Sequence, residues 1–278
     1  MHYNIGMTFL QQLQNTIENH NSLLCVGLDT DIQKIPEFLR IEPDAIYQFN
    51  KAIVDTTSEI VCAYKINIAF YSAYGTHGLE ALQQTISYIK DTYEHIPVIL
   101  DAKRGDIDNT ASYYTKETFD IFDADAVTVN PYMGFDSMKP FLERKEKGII
   151  VLCRTSNPGA ADFQELKVNG KPLYIHIAQT VKKWHTEYKN CLMVIGATVP
   201  DQLKQIREVA PEMFFLVPGI GPQGGDLEAT LRAGLTTNKS GLIMNSSRSI
   251  IYASDGEDFA KKAKEKAEEL RNQINKYR

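Results

Sequence analysis

Three of the charged side chains that follow a short apolar run in the segment VILDAKRGDIDNT, residues 98–110, have types and spacing that could do chemistry. They are Asp101, Lys103 and Asp106, and their charges alternate in sign. Residues two apart on a strand share a face, so Asp101 and Lys103 should point the same way, with Asp106 returning from the following loop. Charges are rarely buried unless they are paired, so these residues either cap a strand or form a site.

Eight short apolar runs recur along the chain, separated by segments with helical periodicity, as expected for buried parallel strands alternating with helices. The runs cover residues 23–29, 60–67, 96–103, 124–132, 148–156, 191–199, 214–221 and 241–248. Eight such repeats predict an α/β fold, a (β/α)8 TIM barrel. A doubly wound sheet is the alternative.

The segments between the runs carry apolar stripes at helical spacing, and Pro200 suits a first helical position. The stripes are Phe9, Leu13 and Ile17; Leu79, Leu82, Ile86 and Ile89; Ile177, Val181, Trp184 and Tyr188; and Phe259, Ala263, Ala267, Leu270 and Ile274. We therefore predict one barrel domain over residues 1–278. The longest connection, residues 157–190, is expected to be a small insertion over the barrel mouth, where Asn169-Gly170 is typical of a two-residue hairpin turn.

The carboxyl ends of barrel strands carry chemistry because the loops that follow them converge on one face. Asp29 ends the first run and Lys65 lies near the end of the second, so they should join the three charges of the third run and its loop. Two lysines among three carboxylates would be held protonated, because neighbouring negative charge favours the ammonium form. This predicts that Lys103 is a proton donor rather than a Schiff-base nucleophile, which must be neutral.

The glycine-rich segment PGIGPQGGD, which starts at Pro218, follows the seventh run. GIGPQG matches the GxGxxG pattern of dinucleotide sites, but it follows the seventh strand rather than the first, and Met244 stands where an acidic residue would be wanted. We predict instead the phosphate site typical of barrel strands 7 and 8. Its contacts would come from the backbone N–H groups between Gly219 and Gly225, that of Gly224 included, and from the guanidinium of Arg248.

Composition limits the other functions. The chain has 278 residues, 43% of them hydrophobic and 23% charged, and a formal net charge of −5, so nothing favours nucleic acid or an anionic membrane as partner. With no leader pattern and no long apolar run, we expect a cytoplasmic protein. Its four cysteines should be core residues, and its six dispersed histidines and lack of metal-binding motifs predict no dedicated metal site.

The motifs GLD, YKIN, LDAKRGDI, TSNPG, PGIGPQGGD and NSSR occur in this order between about Leu23 and Arg248. Together they resemble the orotidine 5'-monophosphate decarboxylase family, in its longer bacterial subgroup. The resemblance implies a homodimeric barrel that converts orotidine monophosphate to uridine monophosphate and carbon dioxide in pyrimidine biosynthesis. It implies no metal and no organic cofactor.

The same resemblance implies roles for the charged residues of DxKxxD. Asp101 would lie against the substrate carboxylate, and Lys103 would protonate carbon 6 of the ring. Asp106 and Thr110 would reach the ribose from the partner subunit, so that each site is shared between two chains.

The resemblance also implies the remaining substrate contacts. Asp29 and Lys65 match ribose-contacting members of the charged network, and Ser156 matches the residue that hydrogen-bonds the pyrimidine. Gln223 and Arg248 match phosphate contacts.

Two competing hypotheses use the same barrel. Magnesium-dependent sugar-phosphate decarboxylases and synthases share DxKxxD but carry a glutamate where this chain has Lys65, and a cation there disfavours a metal. A nucleotide-binding barrel without catalysis would need a damaged charge network, whereas every member of the network is present here.

Overall fold

The computed structural model describes residues 6–220 and 225–278. Eight parallel strands close into a barrel in the order β1, β2, β3, β4, β5, β8, β9, β10 and back to β1, which confirms the predicted fold class. The barrel strands are β1 (Leu24–Gly27), β2 (Ala63–Asn67), β3 (Val98–Arg104), β4 (Ala126–Val129), β5 (Gly148–Arg154), β8 (Cys191–Ile195), β9 (Phe215–Pro218) and β10 (Leu242–Ser246).

Each predicted apolar stripe lies on a helix, and Pro200 is the first residue of its helix. The helices are α1 (Phe9–Asn19), α2 (Glu37–Arg40), α3 (Ala45–Thr57), α4 (Ala69–Ser72), α5 (Gly75–Thr92), α6 (Asp108–Lys116), α7 (Phe135–Leu142), α8 (Ala161–Gln164), α9 (Leu173–Tyr188), α10 (Pro200–Val209), α11 (Leu227–Gly234), α12 (Arg248–Ile251) and α13 (Phe259–Asn275). None of these helices is long and apolar enough to cross a membrane, as judged over the described ranges.

Helix α1 closes the amino-terminal end of the barrel. Its apolar stripe is buried, and the Phe9 ring packs so closely on Gly148 that a Cβ there would lie 2.3 Å from the ring. The Thr16 hydroxyl donates to the His95 carbonyl at 2.6 Å, which fixes the helix to the segment that precedes β3. With this end covered, the open end of the barrel is the one where the strands finish.

The connection between β5 and α9 carries additional structure on the side where the strands finish. Two short antiparallel strands, β6 (Lys167–Val168) and β7 (Lys171–Pro172), form a hairpin. Asn169 and Gly170 link them with φ values of 49° and 77°, as the two-residue turn requires. Helix α9 stands between β5 and β8 in the chain as a barrel helix does, so the additional structure ends before Leu173.

The four cysteines are buried free thiols, as expected of core residues. Burial raises the pKa of every one of them. They therefore remain neutral and pack as small apolar side chains.

Candidate active site

Four charged side chains meet at the carboxyl end of β1, β2 and β3. The Lys65 Nζ lies 3.0 Å from Oδ2 of Asp101 and 3.6 Å from Oδ1 of Asp29. The Lys103 Nζ lies 2.7 Å from the other oxygen of Asp101. Positive and negative groups thus alternate in the order Asp29, Lys65, Asp101, Lys103.

The two lysines differ in their access to solvent. The Lys65 side chain is 4% exposed, whereas the Lys103 side chain is 47% exposed. Lys65 therefore acts as a fixed buried charge between two carboxylates. Lys103 is the cation of the array that an incoming ligand can reach.

Mutual pairing outweighs burial in setting the charge states of this array. Burial alone would raise the pKa of Asp101, but Lys65, Lys103 and the Thr128 hydroxyl hold that pKa well below its ordinary value. Burial alone would lower the pKa of Lys65, but Asp29 and Asp101 raise it above its ordinary value. Asp101 is therefore an anion and Lys65 a cation near neutral pH.

Two small hydroxyl side chains, which sequence reasoning missed, bracket the array. The Thr128 hydroxyl on β4 donates to Oδ1 of Asp101 at 2.7 Å, and the Ser247 hydroxyl, just after β10, donates to Oδ2 of Asp29 at 2.7 Å. Gly27 makes room for Ser247, since a Cβ at Gly27 would lie 1.9 Å from that hydroxyl. The sequence cue was a polar residue at the end of an apolar run, which is too common to single out either residue.

Asp106 does not join the array in the described chain. Just beyond the end of β3, the Asp106 carboxylate accepts a hydrogen bond from the Ile107 N–H at 2.8 Å. Thr110 lies exposed in the first turn of α6. The predicted cluster of two lysines and three carboxylates is thus corrected to two lysines and two carboxylates within one chain.

Ser156 lies exposed just beyond β5, on the same end of the barrel. Gly196, which follows β8, lets it approach, because a Cβ at Gly196 would lie 2.6 Å from the Ser156 Cβ. The preceding residue, Thr155, is held in place by Gln164 at the end of α8. The Gln164 side chain accepts a hydrogen bond from the Thr155 N–H at 2.8 Å and donates one to the Thr155 hydroxyl at 2.9 Å.

The predicted phosphate residues lie beyond β9 and β10. Pro218 ends β9, and exposed Gly219 follows with φ +90°, a conformation that favours glycine. Arg248 is exposed at the start of α12. The Ser246 hydroxyl donates to the Ile220 carbonyl at 3.3 Å, which joins the two segments. Gln223 and Gly224 lie outside the described residues.

Electrostatically, the array suits an anionic ligand whose charge moves during reaction. A reachable ammonium group stands beside a carboxylate that is held ionised, so a ligand meets both a proton donor and a negative charge. The position between Asp29 and Asp101, where a divalent cation would otherwise be attracted, is taken by the Lys65 amine. Over residues 6–220 and 225–278, no group of three or more His, Cys, Asp or Glu side chains is arranged to hold a metal ion.

Comparison with known proteins agrees with this arrangement. A family model described as orotidine 5'-phosphate decarboxylase / HUMPS matches residues 22–263. The chain belongs to this decarboxylase family. The family assignment confirms the resemblance expected from the sequence motifs.

Relatives within the orotidine 5'-phosphate decarboxylase family match nearly the whole of this chain. The curated orotidine 5'-phosphate decarboxylase of Cellvibrio japonicus is 52% identical over 271 residues, which are 97% of this chain and 98% of the relative. The solved OMP decarboxylase of Leishmania donovani is 37% identical with a TM-score of 0.85, over 98% of this chain and 99% of that one. The UMP synthase of the same organism is 39% identical with a TM-score of 0.86, and the match spans 97% of this chain and 56% of that longer one.

Proposed function

We propose that this protein is a carboxy-lyase that converts orotidine 5'-monophosphate to uridine 5'-monophosphate and carbon dioxide, a step of pyrimidine biosynthesis. The observation that carries the proposal is the alternating array of Asp29, Lys65, Asp101 and Lys103 in a member of this family. The names of the relatives favour this activity over that of the magnesium-dependent sugar-phosphate enzymes.

The reaction breaks the bond between carbon 6 of the pyrimidine and its carboxylate, and the electron pair stays on carbon 6. Lys103 places fixed positive charge where this negative charge develops, which lowers the barrier. A proton then passes from the Lys103 Nζ to carbon 6, and the neutral amine regains a proton from water. The reaction therefore needs neither a metal nor an organic cofactor.

Asp101 has two parts in this mechanism. Its carboxylate accepts from Lys103 at 2.7 Å and so aims the ammonium group. It would also lie beside the carboxylate of the substrate, where like charge disfavours the bound substrate relative to the transition state. Its lowered pKa supports this second part, because Asp101 cannot easily escape the repulsion by taking a proton.

The remaining contacts bind the parts of the nucleotide that do not react. Asp29 and Lys65 would contact the ribose, and Ser156 would hydrogen-bond the pyrimidine. The phosphate would be held by Arg248 together with the segment from Pro218 and Gly219 to Gln223 and Gly224. Binding energy from this distant phosphate offsets the unfavourable approach of two carboxylates.

The active form would be a cytoplasmic homodimer in which Asp106 and Thr110 reach the ribose in the partner's site. Two observations support this assembly. Asp106 stands apart from the array of its own chain. Helix α6 packs against α7, and the surface around them exposes the Tyr113 and Tyr132 side chains by 72% and 85%. Large exposed aromatic side chains of this kind favour burial between subunits.

One assay tests the proposed activity. Purified protein is mixed with orotidine 5'-monophosphate in chelator-treated buffer, and the loss of substrate absorbance is followed together with released carbon dioxide. We expect one carbon dioxide per uridine monophosphate formed, at a rate that the chelator does not change. Tight binding of uridine monophosphate without release of carbon dioxide would contradict the proposal and identify a binding protein.

A further inference from the structure

The Thr128 hydroxyl contacts both groups to which the proposed mechanism assigns the chemistry. It accepts a hydrogen bond from the backbone N–H of Lys103 at 2.9 Å and donates to Oδ1 of Asp101 at 2.7 Å. That same carboxylate oxygen accepts from the Lys103 Nζ at 2.7 Å. Thr128 itself is 1% exposed, so no solvent competes for its hydroxyl.

These contacts occur where the pairing of β3 with β4 is irregular. Leu100 pairs with Val127 and Arg104 pairs with Val129, so three residues of β3 stand opposite the single residue Thr128. In such a bulge some backbone groups lose their ladder partners. The N–H of Lys103 is one of them, and the Thr128 side chain takes the place of a backbone carbonyl.

The backbone of Lys103 is also strained, because its φ of +47° lies in the left-handed region that disfavours residues with a Cβ. Such a conformation persists only where the surroundings hold it, and it is common at functional sites. The bond from the Lys103 N–H to Thr128 holds this conformation in place. A loss of that bond would let the lysine backbone relax toward an extended conformation and move its amine.

We propose that Thr128 is a positioning residue that sets the location of the Lys103 ammonium relative to the Asp101 carboxylate. Because the hydroxyl accepts from Lys103, its own proton is directed at Asp101, so one side chain orients both groups at once. This inference rests on the proposed roles of Asp101 and Lys103. A misplaced proton donor slows the chemical step, whereas the phosphate and ribose contacts that determine substrate binding remain.

The test compares Thr128→Val, which keeps the shape but loses the hydroxyl, with Thr128→Ser, which keeps the hydroxyl. Thr57→Val is the matched control, because Thr57 is also buried and its hydroxyl makes two contacts, to the Ile53 carbonyl at 2.7 Å and the Tyr64 hydroxyl at 2.8 Å, away from the site. Each variant is assayed for kcat, for KM, for uridine monophosphate affinity and for thermal unfolding.

We expect Thr128→Val to lower kcat by about 10- to 100-fold, equivalent to about 1.4–2.8 kcal/mol in the barrier. KM and product affinity should change by less than about threefold, since uniform binding is retained. Thr128→Ser should restore most of kcat, and Thr57→Val should lower the unfolding temperature without lowering kcat. Thr128→Ala also lacks the hydroxyl, so we expect the same fall in kcat for it, and it replaces the valine variant if that variant does not fold.

Two results would overturn the inference. One is a kcat for Thr128→Val or Thr128→Ala close to that of the wild-type protein, with only the unfolding temperature lowered. The other is a serine variant as slow as the valine variant. A parallel assay of Lys103→Ala separates this failure from that of the proposed function. If Lys103→Ala is inactive while Thr128→Val is normal, only the positioning role is wrong.

Discussion

The Lys65 amine and the Asp101 carboxylate form a buried ion pair at 3.0 Å, in which each group holds the other in its charged state. Such a pair is costly to break from one side, because the remaining charge stays buried without its partner. This relationship makes the array a fixed electrostatic feature of the protein before any ligand binds.

Removal of the Lys65 charge should therefore destabilise the fold as well as the site. We expect Lys65→Met to lower the free energy of unfolding by about 3–5 kcal/mol, the usual cost of breaking a buried pair. Lys34→Met is the control, since Lys34 is exposed and pairs with Asp31 at 3.8 Å. Its loss should change stability by less than about 1 kcal/mol. Equal urea denaturation midpoints for the two variants would show that the Lys65 pair does not stabilise the fold.

The lowered pKa of Asp101 predicts a pH dependence of stability. The folded pKa lies below the unfolded value of about 3.9, so the stabilising contribution is present above that pH and is lost as pH falls toward the folded pKa. The raised pKa of Lys65 acts in the opposite sense, and its contribution is lost only as pH rises above about 10.4. Between these limits both contributions are complete.

Asp101→Asn isolates the acidic part of this dependence. The variant lacks the titrating carboxyl group, so its free energy of unfolding should fall less than that of the wild-type protein between pH 5 and pH 3, about one unit on either side of the unfolded pKa. Urea unfolding at several pH values measures the difference. Parallel curves for the two proteins over this range would show that Asp101 does not carry the predicted shift.

Arg248 should contribute to binding and little to folding, because its side chain is exposed at the start of α12. Arg248→Ala is expected to weaken uridine monophosphate binding by about 1.5–3 kcal/mol, the value of a charge-assisted hydrogen bond. Uridine, which lacks the phosphate, should bind equally to both proteins. Calorimetric titration of both proteins with both ligands measures these affinities. An unchanged affinity of Arg248→Ala for uridine monophosphate would show that Arg248 does not bind the phosphate.

A shared site predicts complementation between two inactive variants. Lys103→Ala lacks the proton donor and Asp106→Ala lacks the residue supplied to the partner, so each homodimer should be inactive. A mixed dimer contains one site with both residues intact. Unfolding and refolding an equal mixture should restore roughly a quarter of wild-type activity, since half of the dimers are mixed and each has one working site of two. A mixture as inactive as its components would mean that Asp106 acts within its own chain.

Much of the fold could be predicted from the sequence because buried parallel strands have a local signature. Each barrel strand lies within its apolar run, except that β3 extends by one residue to Arg104. The hairpin at Asn169-Gly170 could also be predicted from local sequence, since these two residues specify the turn. These features depend on neighbours in sequence, where composition and spacing can be seen directly.

The site was harder to predict from the sequence, because its geometry depends on contacts between distant strands. Alternation predicted that Asp101 and Lys103 share a face, and their side chains do meet, but across a bulge and a left-handed lysine rather than along a regular strand. The local cue for Thr128 and Ser247 was too common to single them out, since each acquires its partner only when the barrel closes. Asp106 was expected in the array, but in this chain its carboxylate accepts from the neighbouring Ile107 N–H instead.

The most direct test of the central claim is the turnover of Lys103→Ala, measured with its affinity for uridine monophosphate. The loss of a general acid and of the fixed charge predicts a fall in kcat of at least about 100-fold. Binding of the product should remain measurable, because the phosphate and ribose contacts lie elsewhere. Near-normal turnover by this variant would contradict the account, since no other exposed ammonium group stands beside Asp101 in the part of the chain that the structure describes.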